Sequence, residues 1–539
     1  MTENLLNDAL KTNLPRSNSH AARKAVVSTI KKCSKCLNEN EIECICKQTN
    51  ILIRPAYFEE TCFIFSETEN RFGVSSNELL SLRDLVTEVI YPFNKEYDFY
   101  RLNYNHRFNI YPIAVVRAHK KSDVVATINF CVKYRLPIRA RGGAHAYQPA
   151  SLVNFGIVLD QRPRDNATID FVRNQVTIQT GALLGPVANK LSEHNFIIPT
   201  GTCVTNGVAG LTLGGGIGFY LREYGLTMDQ LVSAKIVLAN GSLINTNSKS
   251  NSDLFWALKG AGGGNFGVVT DLTFNLTKIG YVTIFTLYYN FIDAKAVLKT
   301  WQSFAPNTIT KLTSEFDIFN KYQPVIVTGQ LLPVKNPKSD LKLLIKLIKP
   351  LLDLNLQTNL SIKTMSVKES YEYFGQGSYA RPLFFYNKSD FNFDLLSDEA
   401  IDTIIYYMSL LNKSQTHHKT EIDALGGNFS SIASEATAFP SRKAIHWLQY
   451  TSLWDTSDEQ DPNIEWLQSY YNAMRPYFPL NRKYVNALDY DSTRESALNS
   501  YYADNLDNLI TIKQKYDPTD VFRFEQSIPV SQYPINQKN

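Results

Sequence analysis

Residues 252–274, SDLFWALKGAGGGNFGVVTDLTF, decide the fold. They contain Gly262-x-Gly264-x-x-Gly267, the letters of the glycine fingerprint that cradles a dinucleotide where a strand turns into a helix. Here the order is reversed. Helix-like SDLFWALK comes first and the strand-like VVTDLTF second, so the phosphates would not meet a helix N-terminus, and a doubly wound nucleotide fold fails on context. The glycines still suit backbone passing close to something flat or phosphorylated, because they lack Cβ and tolerate positive φ.

Upstream, AKIVLANGSLINT (234–246) reads as a hairpin turning at Asn240-Gly241. A second glycine-dense run, GVAGLTLGGGIGF, occupies 207–219. Before it come strand-like GIVLD and QVTIQTGA, then the helix-like LLGPVANKLSEHN. Further back, YPIAVVRA reads as a strand and SDVVATINFCVKYR as a helix in which Val124, Ile128, Cys131 and Val132 share a face. LLSLRDLVTEVI, from Leu79, carries apolar residues at helical spacing. Downstream of about Gly280 the glycine clusters thin out. Strands (VTIFTLYYNF, PVIVTGQLLP, AIHWLQYTSLW) then mix with amphipathic helices (LKLLIKLIKPLLDL, EAIDTIIYYMSLL), which is α+β patterning of a second domain. A last helical stretch ends at Asp517-Pro518.

Composition narrows the function. The 539 residues are 44% hydrophobic and 20% charged, ordinary globular material, and a net charge of +4 is far from the excess of a nucleic-acid binder. No apolar run is long enough to span a membrane, and the N-terminus lacks a cationic start with an apolar stretch behind it, so an intracellular location is expected. Five of the seven cysteines (Cys33, Cys36, Cys44, Cys46, Cys62) crowd the first 62 residues. Cys33-x2-Cys36 with Cys44-x-Cys46 offers four thiolates to zinc, but the short second arm favours reduced thiols, and no metal is expected. Residues 1–75 read as a cysteine-containing, partly disordered extension.

Two further motifs carry chemistry. Arg141-Gly-Gly-Ala-His145 follows a strand and sets an imidazole beside paired glycines. Gly201-Thr-Cys203 sets a thiol at the mouth of a glycine-dense run; positive surroundings would make that thiol a nucleophile, and burial would make it inert.

RGGAHAY, TGALLGPVANKL, GTCVTNGVAGLTLGGGIGF, REYGLTMDQLVSAKIVLANGSL, the 252–274 stretch and KYDPTDVFRFEQSIP occur in that order. From about Phe99 to Pro529 the chain resembles the berberine-bridge-enzyme-like flavoproteins of the p-cresol methylhydroxylase and vanillyl-alcohol oxidase superfamily. The resemblance implies an α+β protein: a two-part FAD-binding domain (76–280, with 476–539 returning to it) and an inserted α+β substrate domain at 281–475, an antiparallel sheet flanked by helices. It implies FAD bonded to His145 and to Cys203. It also implies flavin contacts from Arg141, Gly142, Gly143, Ala144, Gly201, Thr202, Gly207, Gly210, Gly214, Gly215, Asp229, Gly267, Val269, Asn486 and Gln526.

The substrate chemistry transfers less completely. The family's YxNY motif reads Tyr484-Val-Asn486-Ala487, and its second tyrosine, often assigned as the base, is an alanine. Trp447 stands where plant members often carry an acid. Asn206 replaces a small apolar residue linked to oxygen access, Leu211 a histidine and Phe524 an asparagine. The remaining candidates for catalysis are Tyr484, Tyr450, Tyr147, His446 and Gln449, with Trp447 and Gln449 pointing together by strand alternation. The expected reaction passes hydride from a hydroxyl- or amine-bearing carbon of a small molecule to flavin N5, with O2 or another acceptor taking the electrons. The alternative is a flavin-binding structural or packaging protein that has lost turnover.

Overall fold

A computed structural model of the chain describes residues 55–375, 384–415 and 417–531. The thiols Cys33 to Cys46 lie outside the described residues. Cys62 lies within them, buried in the helix Pro55–Phe72, which also carries Ile64 and Phe65 into the first core. The globular body therefore begins before residue 76, earlier than the sequence suggests, because the apolar residues of this helix, interleaved with polar ones, gather on one packed edge.

The first core packs around a four-stranded sheet ordered Val89–Ile90, Ala114–Arg117, Ile157–Asp160, Ile138–Arg141. Its last three strands run parallel, and the helix Lys121–Tyr134 makes the crossover. Val124, Ile128 and Cys131 are buried on that helix as expected, whereas Val132 faces solvent. The expected long helix at Leu79 stops early: Ser76–Leu80 and a 3-10 turn to Asp84 give way to the edge strand Val89–Ile90.

The second core packs on a five-stranded antiparallel sheet ordered Ala167–Asp170, Gln175–Gln179, Val268–Asn275, Leu231–Val237, Leu243–Asn247. The helix Ser252–Ala257 precedes the 260–267 glycine run and the strand Val268–Asn275 follows it, the order that excludes a doubly wound fold. Val485, Leu488, Leu498, Tyr501, Leu509 and Ile528 pack into this same core, so the C-terminal segment completes it.

The third core lies between a seven-stranded antiparallel sheet, which starts with Tyr281–Tyr289, and a layer of helices that includes Ala294–Phe304, Asp398–Leu410 and Gln460–Met474. The face turned from those helices looks toward the glycine loops. Two buried arginines tie the halves together. Arg222 donates to the carbonyls of Pro306, Thr308, Leu312 and Leu425. Arg442 makes a two-pronged pair with Asp229, both bonds 2.8 Å. No described helix is long and apolar enough to cross a membrane.

Candidate functional site

One cavity of about 560 Å³ runs along the seam between the glycine loops and the large sheet. Its floor is backbone. Gly143 and Gly207 lie against each other so closely that a Cβ on Gly143 would fall 2.2 Å from the Gly207 nitrogen, which locks the two loops together. Gly210, Gly263 and Gly264 do the opposite: a Cβ there would meet no protein atom closer than 3.7 Å and would project into the cavity. That open glycine face leaves bare backbone along the cavity, a glycine cradle without side chains in the way.

His145 is aimed by strain. Ala144 takes a left-handed φ of 59°, a position that costs a β-carbon residue energy and persists only when its surroundings hold it. The Ala144 carbonyl accepts the Tyr104 amide at 2.8 Å, and the Tyr104 ring stacks on the imidazole with centroids 3.9 Å apart. Burial pushes the imidazole down to about 4, so it is neutral and nucleophilic near pH 7. Thr205 Oγ1 sits 2.7 Å from His145 Nε2 and 3.3 Å from Cys203 Sγ. Arg141 spends its charge on Asp160 Oδ2 at 2.9 Å and on the Tyr100 carbonyl, anchoring the loop. Gly142, Gly201, Thr202, Gly267, Val269 and Asn486 join Arg141, Ala144 and Cys203 in lining the cavity.

The strand His446–Trp454 supplies part of the opposite wall. Trp447, Gln449 and Thr451 face the cavity. The alternate residues go the other way, and this corrects two candidates. Tyr450 is packed in the third core among Tyr470 and Tyr471, and His446 stacks on Trp301 at 5.4 Å, with burial pushing its ring down to about 3. Neither lines the cavity.

Four implied flavin contacts are corrected as well. Gly214 packs under the Asn486 amide and Gly215 against the Tyr484 ring, which leaves both behind the cavity wall. Asp229 is consumed by Arg442 and by the Leu226 amide. Gln526 bonds Tyr501 Oη and the carbonyls of Asp489 and Ser492, holding the C-terminal segment shut.

Tyr484 and Tyr147 face the cavity but differ in what they can do. The Tyr484 oxygen accepts N–H bonds from Gly216 at 2.8 Å and from Asn486 at 3.0 Å, which fills the acceptor sites of the neutral phenol. The Tyr147 oxygen accepts one, from Gln449 Nε2 at 3.3 Å. Burial pushes both phenols up to about 12. Ala487 is 2% exposed in the apolar seam.

Several cavity residues escaped sequence reasoning. Tyr104 had no motif to announce it, nor had Thr205, which stands behind the lining between His145 and Cys203. Arg139 lines the floor with its Nε unpartnered, held down to about 10 by burial. Glu315, Lys419, Glu421 and Asp423 line the sheet wall, and the alternating charges of Lys419-Thr-Glu421-Ile-Asp423 were a readable signal of one strand face.

An FAD binding domain family model matches residues 112–247, and a berberine and berberine-like model matches 483–529. An FAD-linked oxidoreductase of Bacillus subtilis (strain 168) is 33% identical over 450 residues, covering 83% of this chain and 97% of that protein. The chain belongs to the berberine-bridge-enzyme-like family of FAD-linked oxidoreductases. Among solved structures, this oxidoreductase superposes on wild-type Physcomitrella patens BBE-like 1 with a TM-score of 0.75 at 26% identity, covering 85% of this chain and all of the other. It is similar also to glucooligosaccharide oxidase from Acremonium strictum, with a TM-score of 0.75 at 27% identity over 85% of this chain and 99% of that one. In that oxidase the cofactor is a 6-S-cysteinyl, 8α-N1-histidyl FAD. The fold is thus the FAD-binding fold of this family of flavoproteins, with the second, sheet-based domain inserted.

Proposed function

We propose that the cavity holds FAD attached through both His145 and Cys203 and oxidises a hydroxyl-bearing carbon of a saccharide-like small molecule. The observation that carries this is the continuity of one cavity from the glycine cradle and the His145–Thr205–Cys203 cluster to a wall of polar and aromatic side chains. When bound, FAD supplies a hydride acceptor at N5, with oxygen receiving the electrons as hydrogen peroxide. Everything else falls to the chain. Gly210, Gly263 and Gly264 leave room for the cofactor's length, and the Arg139 guanidinium, with no carboxylate bonded to it among the described residues, suits its diphosphate.

On the sheet wall, Trp447 and Phe385 offer faces to a sugar ring, while Gln449, Thr451 and Asn387 offer hydrogen bonds to its hydroxyls. Tyr147 Oη is assigned to the substrate hydroxyl proton, since it carries one protein hydrogen bond where Tyr484 Oη is held between two, from the Gly216 and Asn486 N–H groups. Gln449 positions Tyr147 and stabilises the phenolate form by donating to it.

The test is anaerobic addition of a panel of mono- and oligosaccharides, alcohols and amines to the purified yellow protein. Bleaching of the flavin band by a saccharide, with peroxide formed on admitting air, is expected. A flavin that no compound reduces would favour a packaging role without turnover, the reading that Ala487 and Trp447 invite.

A further inference from the structure

Strands of a sheet seldom set like charges directly opposite one another, because the pair repels. This sheet does so twice on its cavity face: Glu315 pairs with Asp423, and Asp317 pairs with Glu421. The rows continue into the proposed substrate wall, Asp423 opposite Trp447 and Glu421 opposite Gln449. Carboxylate oxygens of Glu315, Glu421 and Asp423 all lie within 4.8 Å of one another. Lys419 is the one cation paired with this group among the described residues, bonded to Glu421 and 3.4 Å from Asp317. Four carboxylates against one ammonium leave the wall short of positive charge.

Two further atoms are unsatisfied. Asp423 is 7% exposed and its Oδ2 has no hydrogen-bond partner; Trp447 is 7% exposed and its indole N–H has none. Both residues line the cavity. Burial and mutual repulsion hold Glu315, Asp317 and Asp423 above the usual carboxylate range, so without a partner the cluster retains protons, and an incoming cation takes their place as these go to solvent.

We propose that Glu315, Glu421 and Asp423 form an anionic recess at the substrate end of the cavity that takes a protonated amine, so that the preferred substrate is an amino-bearing polyol such as an amino sugar with a free amine. An ammonium supplies three N–H donors to three clustered carboxylates, and the neighbouring Trp447 offers a face for cation–π contact and a donor to an adjacent hydroxyl. Lys419 is itself an ammonium held by Glu421 and Asp317 in this group, the same chemistry a substrate amine brings. The proposal rests on reading this cavity as the substrate cavity, and the experiment separates the two.

Binding to the flavin-loaded protein is measured by thermal shift and calorimetry with glucosamine, N-acetylglucosamine and glucose, and with 2-aminoethanol against ethylene glycol. Glucosamine should bind about tenfold or more tightly than either neutral sugar, the size expected of one charge-assisted contact. 2-Aminoethanol should protect the protein where ethylene glycol does not. High salt should shrink both preferences, and Glu421→Gln with Asp423→Asn should abolish them while retaining the flavin spectrum; Glu421→Gln alone serves if the pair fails to fold. Equal binding of each amine and its neutral twin overturns the recess and leaves the saccharide reading intact. An amine preference for 2-aminoethanol with no sugar bound at all keeps the recess and counts against that reading. Tight Ca²⁺ or Mn²⁺ binding that excludes the amines and is lost in the variant identifies a metal site and overturns the proposal.

Discussion

His145 and Cys203 meet at one hydroxyl: Thr205 Oγ1 lies within 3.3 Å of both the imidazole and the thiol. Two groups proposed to attach to the same benzenoid ring of one flavin are thus spaced by a single side chain before any cofactor is considered. Flavin should therefore remain with the protein through denaturing precipitation in wild type, in His145→Ala and in Cys203→Ala, and be released only from the double variant. Peptide mass mapping should find one attachment in each single variant. Release from wild type would remove the assignment.

The His145 ring is neutral above about pH 4 because burial disfavours its charged form. Attachment of added FAD to the cofactor-free protein should consequently proceed at similar rates from about pH 8 to pH 5 and fall as the pH drops toward 4. An inflection near pH 6.5, the value of an unperturbed imidazole, would contradict the burial described for the ring.

Tyr147 and Tyr484 are both held near 12, so each is a phenol at neutral pH. With Tyr147 taking the proton, the rate of flavin reduction should climb about tenfold per pH unit below that value, with no plateau in the neutral range. Tyr147→Phe should slow reduction by roughly 10²–10⁴-fold. Tyr484→Phe should chiefly destabilise, by about 1–3 kcal/mol, because the Gly216 amide loses its acceptor. Stopped-flow reduction and urea unfolding read the two effects apart.

Gly210 and Gly143 should respond in opposite ways to a methyl group. At Gly210, within the helix Val208–Gly214, alanine meets no protein atom and should stabilise the fold by about 0.5–1 kcal/mol while lowering the fraction of chains that take up FAD. Gly143→Ala drives a carbon to 2.2 Å from the Gly207 nitrogen and should yield little folded protein. Flavin content against melting temperature separates the cases.

The Arg442–Asp229 pair is buried, with side chains 0% and 6% exposed. Arg442→Ala strands the Asp229 charge and should cost about 3–5 kcal/mol in chemical unfolding, whereas Arg442→Met with Asp229→Asn should recover most of it. Equal losses in the two would show that packing, not charge, dominates there.

Much of this was legible in the chain. The inverted helix-then-strand order around Gly262–Gly267 excluded one nucleotide fold, and six ordered motifs named another. Alternation along Trp447-Leu-Gln449 placed both side chains on the cavity side, yet the same rule, applied one residue over, sends His446 and Tyr450 into the helix layer. Asp229 and Gln526 looked like ligand contacts because they sit in motif segments, but their bonds go to protein. Motif membership does not distinguish a residue that touches a ligand from one that braces the loop. The acidic rows were hidden for a different reason: Glu315 and Asp423 are far apart in sequence, and only strand pairing makes them neighbours.

The second core is assembled from residues on both sides of the inserted sheet domain, with Val485 to Ile528 packed beside Val176 and Leu272. A ribosome releases those pieces far apart in time. The glycine cradle is therefore walled only on one side until nearly the whole chain has emerged, and cofactor capture becomes a late, post-synthetic event. The inserted domain, whose strands are contiguous from Tyr281 to Trp454, has its whole sheet made before the C-terminal segment, so it is in place as a wall when the flavin half closes. Order of manufacture, as much as final geometry, then decides when this molecule turns yellow.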